Sequence, residues 1–470
     1  MYQLSALDNV MLEGDAPGLP LHMSAAMIYD TGNSKKGAIG FEALSSTLER
    51  IIDEHFPILR CRAEALPLML DKAYWANDEA FDLSAQASRV ALPAPADWAE
   101  FYRLFGQFHA TRLDRDKPLW QMIQVEGLDA LDGLPAGSTA LFFKVHHAMM
   151  DGIGAMRLLR GFHSTSPRGK PTILKQPAAD VEAPNYQSPG PVEKYGRALR
   201  HGLARPVNRT GTLLKMLPDM LTPKKRGNET PKVRVPSAHF DQQVKGSRVI
   251  GHVRMDMATL CQLEETYDCT INDLALCVVA EAQRQFLLGH GELPDESLVA
   301  AMPINIRQRN DKGEVGNRLT LARVPLFTDT DDMKARLRAV ISETTRDKSE
   351  GRKSGGGNAM QLIEEIHPAF ITWLLKRLYY SGFFDSRPPV VNTIVSNVPG
   401  FPDETYLMGA RLIDYLGFGP LGPGIGLFHT VSSTPDHVNI SFVSTADMVG
   451  DGAGYCAALR SGYEELLSSL

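Results

Sequence analysis

Seven residues, His146-His147-Ala148-Met149-Met150-Asp151-Gly152, constrain this chain more than any other stretch. They follow Thr139 to Val145, an apolar run rich in aromatic and β-branched side chains that reads as a buried strand. They precede Ile153 to His163, where Ile153, Met156, Leu159 and Phe162 recur at three-residue steps and predict a helix face. The heptad therefore sits where a strand gives way to a helix, and rigid flanks are well suited to fixing a functional loop. Imidazole takes up and returns a proton near neutral pH, its unperturbed pKa being roughly 6.5. Strand alternation turns His146 and His147 to opposite sides, so only one can face a given cavity. The other is expected to pack or hydrogen-bond, with Asp151 fixing the turn. The competing reading is a pair of satisfied histidines at a strand end.

Four further segments stand in order around the heptad: Leu4-Ser5-Ala6-Leu7-Asp8, Pro118-Leu119-Trp120, Asn272-Asp273 and Ser396-Asn397-Val398-Pro399-Gly400. With HHxxxDG they make the chain resemble, over nearly its whole length, the bacterial wax ester synthase/acyl-CoA:diacylglycerol acyltransferases. That family sits among the CoA-dependent acyltransferases similar to chloramphenicol acetyltransferase. The HHxxxD core alone is shared with other acyltransferases; matches in this order are far more specific. The resemblance implies an α/β (α+β) fold of two chloramphenicol-acetyltransferase-like domains, mixed sheets flanked by helices, with the active site between them. It implies transfer of a long acyl chain from acyl-CoA to the hydroxyl of a fatty alcohol or diacylglycerol, giving wax esters or triacylglycerol. His147 is implied as the catalytic base beside His146, and Asp151 as the residue that orients the turn. Gly152 is expected to allow a backbone conformation or close approach that a Cβ would hinder. Pro118, Leu119 and Trp120 are implied to lie near the acyl pocket; their local pattern alone reads as a strand entry with a core Trp, leading into a strand over Gln121 to Glu126.

A thioester is already activated, so this chemistry needs only alcohol deprotonation and stabilisation of a tetrahedral oxyanion. Consistent with that, the chain has no Gly-x-Ser-x-Gly nucleophile elbow. Asn272 is the first oxyanion candidate, with Ser396 and Asn397 behind it. A helix follows Asn272-Asp273, over Leu274 to Phe286, so capping is the competing role for that pair. No motif assigns the CoA site; Arg307, Arg309 and Arg318, near Asn305 and Asn317, are candidates for the phosphates, with solvated loop charges as the alternative. No cofactor is expected, acyl-CoA being a substrate, and no metal, because His146, His147 and Asp151 lack a further ligand cluster. Two other functions fit the fold: acyl transfer to another alcohol or to an amine, as in condensation domains, and non-catalytic lipid binding. The intact HHxxxDG speaks against the latter, since binding alone has no use for a positioned base.

At 470 residues the chain exceeds one typical core. The expected division is 1–165 with HHxxxDG, a linker over 166–236 rich in proline, glycine and basic residues, and 237–470. Helices are expected over Phe41 to His55, Ala99 to Leu113 and Gly454 to Leu467, and a strand over Arg248 to Met255. Between Pro191 and Arg234 eleven Lys and Arg stand against three acids, leaving −14 for the rest of a chain whose total is −6. Leucines interleave those charges, so the segment can lie on an anionic membrane or lipid inclusion; a linker that packs its leucines and exposes its charges is the equal alternative. The overall charge gives no case for nucleic acid. Five cysteines without CxxC spacing point to free thiols in a reducing cytoplasm, and neither a secretory leader nor a membrane-spanning run is expected. Gly417-Phe-Gly419-Pro-Leu-Gly422 fits GxGxxG, yet Pro420 and Pro423 fall where a phosphate-binding helix should begin, so a bend beside a substrate channel is expected instead. Two departures from the family pattern, Phe81-Asp-Leu-Ser-Ala-Gln-Ala87 and Phe240-Asp241-Gln242-Gln243, bear on acceptor preference and pocket shape rather than on the base.

Overall fold

The computed structural model describes residues 2–16, 18–32, 34, 39–175, 186–204, 234–305, 319–351, 366–383 and 388–470. Its strands are β1 (Tyr2–Gln3), β2 (His22–Asp30), β3 (Cys61–Glu64), β4 (Tyr74–Asn77), β5 (Ala87–Ala91), β6 (Trp120–Glu126), β7 (Thr139–His146) and β8 (Arg248–Asp256). The second half adds β9 (Val299–Asn305), β10 (Leu319–Pro325), β11 (Thr393–Val398), β12 (Tyr406–Leu407), β13 (Ala410–Phe418), β14 (Phe428–Ser433) and β15 (His437–Thr445). Helices α1 (Ala6–Gly14), α2 (Phe41–His55), α3 (Trp98–Ala110) and α4 (Gly152–Phe162) belong to the first half. After them come α5 (191–204), α6 (Met257–Tyr267), α7 (Ile271–His290), α8 (Met333–Gly351), α9 (Pro368–Tyr380), α10 (Ala446–Val449) and α11 (Ala453–Ser469).

Two six-stranded sheets carry the fold, in the orders β12-β13-β2-β7-β6-β5 and β10-β9-β11-β14-β15-β8. A three-stranded sheet, β1-β4-β3, lies apart. Every residue of β7 is buried, as its apolar run predicts for a strand paired on both sides and covered on both faces. α2 buries the predicted stripe of Leu44, Leu48, Ile51 and Ile52. α7 is buried nearly all round, which is why its sequence shows no polar face.

Sequence order and sheet membership part at one place. β12 and β13, from the second half, complete the sheet of the first: β13 runs antiparallel to β2, from Arg411 opposite Asp30 to Phe418 opposite Ser24. In the other direction α3 packs on β8, with Tyr102 Oη 3.0 Å from His252 Nδ1. Gly106 permits this approach, since a Cβ there would stand 2.8 Å from the Arg248 carbonyl oxygen. One hydrophobic core therefore draws on both halves: Phe105 lies 4.7 Å from Phe142 and 4.6 Å from Phe418, centroid to centroid. Each such ring contributes about 1.5–3 kcal/mol by burial, so the two halves are held together by core packing.

Candidate active site

The site begins where β7 ends. His146 N–H donates to the Leu119 carbonyl at 2.9 Å, and His147 N–H to the Leu21 carbonyl at 3.0 Å. Successive residues are thereby tied to opposite neighbours, β6 on one side and the entry to β2 on the other. The rings diverge as alternation requires. His147 lines a cavity of about 910 Å³ that opens between the two sheets, whereas His146 turns inward, its Nδ1 accepting from Ala148 N–H at 3.1 Å. Burial takes the His146 pKa down to about 3, with help from the charges of Arg115, His147 and Arg112, so its ring is neutral.

His147 is also held below the usual imidazole value by burial, against which Asp151 and Asp8 pull upward through their charge. Two motifs thus meet at one ring. Ser5 caps α1 by accepting Asp8 N–H at 3.0 Å, which brings the Asp8 carboxylate of LSALD within electrostatic reach of His147. Asp151 caps α4, its Oδ1 accepting Gly154 N–H at 2.7 Å, while lining the same cavity. Asp15 secures the approach loop: its Oδ1 accepts Leu21 N–H at 3.0 Å, and its Oδ2 pairs with Arg112 at 3.0 Å.

Ser396 and Asn397 are among the residues that line the cavity, both on β11. Asn272 and Asp273 lie outside the lining, on the first turn of α7. Neither caps that helix from the N-cap position, as the sequence suggested. Thr270 holds that place, and Asp273 closes a capping box while accepting Thr344 Oγ1–H at 2.8 Å. Pro118, Leu119 and Trp120 are absent from the lining as well. Leu119 supplies the carbonyl for His146, and Trp120 is buried with Nε1 donating to Leu59 O at 2.7 Å, so this motif anchors strands. Gly152 needs no glycine for local fit among the described residues, none of which comes within 4 Å of a Cβ there. The tight position is Gly154, whose Cβ would stand 2.7 Å from Met150 Cγ. Ile153, assigned to the inner helix face by spacing, is 48% exposed at the rim of the cavity. Arg307, Arg309, Arg318 and Asn317 fall outside the described residues, as do 205–233 of the basic linker.

The glycine-rich bend does border the cavity: Gly417, Gly419 and Pro420 are in its wall. A Cβ on Gly419 would collide with the Phe428 ring at 2.2 Å. Sequence reasoning missed three polar groups of the wall. Ser24 Oγ lies 2.5 Å from Nδ1 of buried His109, Tyr415 Oη is 3.0 Å from Met156 Sδ, and Thr430 stands on β14. Their signal is pairing across strands distant in sequence, which no local window contains. Arg157 and Arg160 of α4 are the arginines among the described lining residues, and Arg160 Nε donates to Gly400 O at 2.9 Å.

Among the described residues one trio could in principle hold a metal: Asp15, His22 and His146, with ligand atoms within 4.8 Å of one another. The chemistry around it fits poorly. Both Asp15 oxygens are engaged, and burial followed by the Lys144 charge depresses His22, as burial followed by Arg115 depresses His146. A cation would enter a positive field.

Two sheets that share an apolar cavity, with the second histidine of HHxxxDG in its wall, define a CoA-dependent acyltransferase fold. The chain belongs to the wax ester synthase/diacylglycerol acyltransferase family, matching its catalytic domain over residues 4–275 and its C-terminal domain over 315–467. It is an acyltransferase. The O-acyltransferase WSD of Acinetobacter baylyi is 27% identical over 380 residues, 80% of this chain and 79% of that one. The wax ester synthase/diacylglycerol acyltransferase of Marinobacter aquaeolei VT8 shares the fold with a TM-score of 0.69 at 21% identity, covering 99% of each chain. A trichothecene 15-O-acetyltransferase from Fusarium sporotrichioides shares it at 0.59 and 13% identity, over 98% of this chain and 94% of that one.

Proposed function

We propose that this chain transfers a long acyl group from acyl-CoA to the hydroxyl of a fatty alcohol or a diacylglycerol, with His147 as general base. The observation that carries the reading is a neutral-leaning His147 in the wall of a largely apolar cavity of about 910 Å³. That size suits a lipid chain. His147 accepts the acceptor's proton as its oxygen attacks the thioester carbon. The tetrahedral intermediate collapses with loss of the CoA thiolate, to which the imidazolium returns the proton. Asp151 steadies the imidazolium by charge and holds the turn by its cap. Ser396 supplies a hydroxyl donor from β11 and is preferred to Asn272 for the oxyanion, whereas alternation turns the side chain of Asn397, the next residue of the strand, to the other face. Arg157 and Arg160 are the cations placed to meet CoA phosphates. No cofactor takes part in this scheme.

No cysteine is among the described residues that line the cavity, which speaks against a covalent thiol route. Burial pushes Cys61 up to about 12 and Cys269 and Cys456 up to about 11, and raises Cys277 further. Lipid contact through 191–234, at the inner face of a membrane or on lipid inclusions, is part of the same reading. Its support is α5, whose outward stripe of Val192, Tyr195, Leu199 and Leu203 is exposed while Ala198 packs inward. No described helix is long and apolar enough to cross a membrane.

The test is thiol release from palmitoyl-CoA, with hexadecanol or a diacylglycerol supplied separately, for the wild type and His147→Ala. Acceptor-dependent release should fall by roughly 10²–10⁴ in a variant that melts like the wild type. Retained turnover in folded His147→Ala would remove His147 from the mechanism.

A further inference from the structure

Helix α9 inverts ordinary globular patterning. Pro368 and Thr372 are buried on its inner side, while Phe370 and Trp373 are 54% and 59% exposed. At about 100° per residue these two fall in one stripe with exposed Leu374 and with Arg377. The Phe370 and Trp373 rings lie 6.0 Å apart, forming one aromatic surface. The helix is held from behind, against α1 and the short turn Pro67–Met69. That turn adds Leu68, 86% exposed with a φ of 56°, a left-handed backbone that non-glycine residues adopt uncommonly. Beyond the turn lies α5, fastened by His201 to Asp71 at 2.6 Å and by Ala198 to Leu66 and Tyr74. Its outward side carries exposed Leu199 and Leu203.

Cations border this surface. Lys376 and Arg377 sit on α9, and Lys376 and Tyr380 line a 240 Å³ pocket with Arg112, Arg115 and Asp15. Asp15 pairs with Arg112 at 3.0 Å and Glu13 with Arg115 at 3.4 Å, so the three cations there exceed the two acids. The excess is positive on a chain whose net charge is −6. A second copy docked face to face would bring the same cations together. An anionic phospholipid surface satisfies both parts, taking the aromatic and leucine side chains into its acyl boundary and the ammonium and guanidinium groups onto its phosphates.

We propose that α9 and the Pro67–Met69 turn, together with α5, form a docking face for an anionic phospholipid surface, with the Arg112–Arg115–Lys376 pocket receiving a lipid phosphate. This deepens the lipid-contact reading of 191–234 and rests on it for α5 alone. The face also has a route to the chemistry: α1, on which α9 packs, contributes Met11 to the cavity wall.

Trp373 provides the assay. Of the four tryptophans, Trp75 and Trp120 are buried and Trp98 is half-buried, so an interfacial change in emission reports α9. The full chain is mixed with phosphatidylcholine vesicles with or without phosphatidylglycerol, and followed by emission and flotation. Phosphatidylglycerol vesicles should shift the emission to the blue and float the protein. Trp373→Phe should abolish the shift yet still float. Phe370→Ser with Leu374→Ser, and separately Lys376→Glu with Arg377→Glu, should each lower partitioning by roughly tenfold. Flotation unchanged by both pairs, but lost in Leu199→Ser with Leu203→Ser, would overturn the α9 assignment and leave α5 standing. No flotation by the wild type would sink both. Equal binding to pure phosphatidylcholine would refute the electrostatic part, and a dimer by light scattering that shields Trp373 would make the face a self-association surface.

Discussion

Gly400 closes the Ser396-Asn397-Val398-Pro399-Gly400 segment, and its substitution tests how that segment supports the site. A Cβ on Gly400 would stand 1.7 Å from the Ser433 carbonyl oxygen and 2.6 Å from that residue's backbone carbon and nitrogen. Real Cβ atoms essentially never come within 3.0 Å, so one chain must retreat by about 1.3 Å, and no rotamer can relieve a clash with backbone. Two attachments are in the path of that movement. Phe401 N–H donates to the same Ser433 oxygen at 2.8 Å, and Arg160 donates to Gly400 O at 2.9 Å and to Pro399 O at 3.0 Å. A neutral hydrogen bond contributes about 1 kcal/mol and one from a charged donor about 1.5–3, with about 1–3 more for overpacking. Gly400→Ala is therefore expected to cost about 3.5–7 kcal/mol, a large share of the about 5–15 that a native protein has. Because Arg160 is on α4, about two and a half turns from Asp151, acceptor-dependent CoA release should fall as well. Urea unfolding measures the first effect and thiol release the second. Gly454→Ala is the control: no described residue lies within 4 Å of its Cβ, so helix propensity should stabilise it, by up to about 1 kcal/mol. If Gly400→Ala unfolds within about 1 kcal/mol of the wild type and turns over normally, the close approach does not hold the site.

Asp151→Asn separates charge from cap, because the amide oxygen can still accept Gly154 N–H. Burial lowers the His147 pKa and the Asp151 charge raises it, so the acid limb of kcat/KM should lie below that of free imidazole and move to still lower pH in the variant, with reduced plateau rate. An acid limb that stays put, followed from pH–rate profiles, would remove Asp151 as the electrostatic partner. Asp241 offers a stability test. Burial raises it to about 7, against hydrogen bonds from Ala238 N–H and Asn392 Nδ2 that favour the carboxylate. Its folded pKa exceeds the unfolded value of about 3.9, so the destabilisation is absent below pH about 4, grows between, and is complete above about 7. Asp241→Asn should flatten the wild type's decline between those limits in urea melts; a variant with the same decline would show that the penalty lies elsewhere.

What could be read in the sequence, and what could not, divides along the range of the interaction. The β7 run, the α2 stripe and the opposite orientation of His146 and His147 follow from local periodicity, and each is as expected. Residue chemistry also excluded a dinucleotide loop at Gly417 to Gly422, because prolines forbid the helix there, and β13 indeed runs into a bend along the cavity. Pairing between distant strands was out of reach. Nothing in Ala410–Phe418 announces that it joins β2 rather than its own half, since an alternating strand carries no address beyond its two faces. The glycines show the same limit. Gly152 lies inside the motif yet no described atom stands within 4 Å of its Cβ, whereas Gly106 and Gly400 are required by backbone of Arg248 and Ser433 that comes close only in the fold. Asp8 is the clearest case. In sequence it is the last letter of an opening motif, more than a hundred residues from His147. Its influence on that imidazole exists because Ser5 starts a helix that carries it there. The order of motifs along the chain therefore identifies the chemistry, while the assignment of roles within each motif waits on which backbone stands behind it. Pro118, Leu119 and Trp120 illustrate the point: they lie outside the cavity lining, where the Leu119 carbonyl takes His146 N–H and the buried Trp120 indole donates to Leu59 O, so the motif ties strands together.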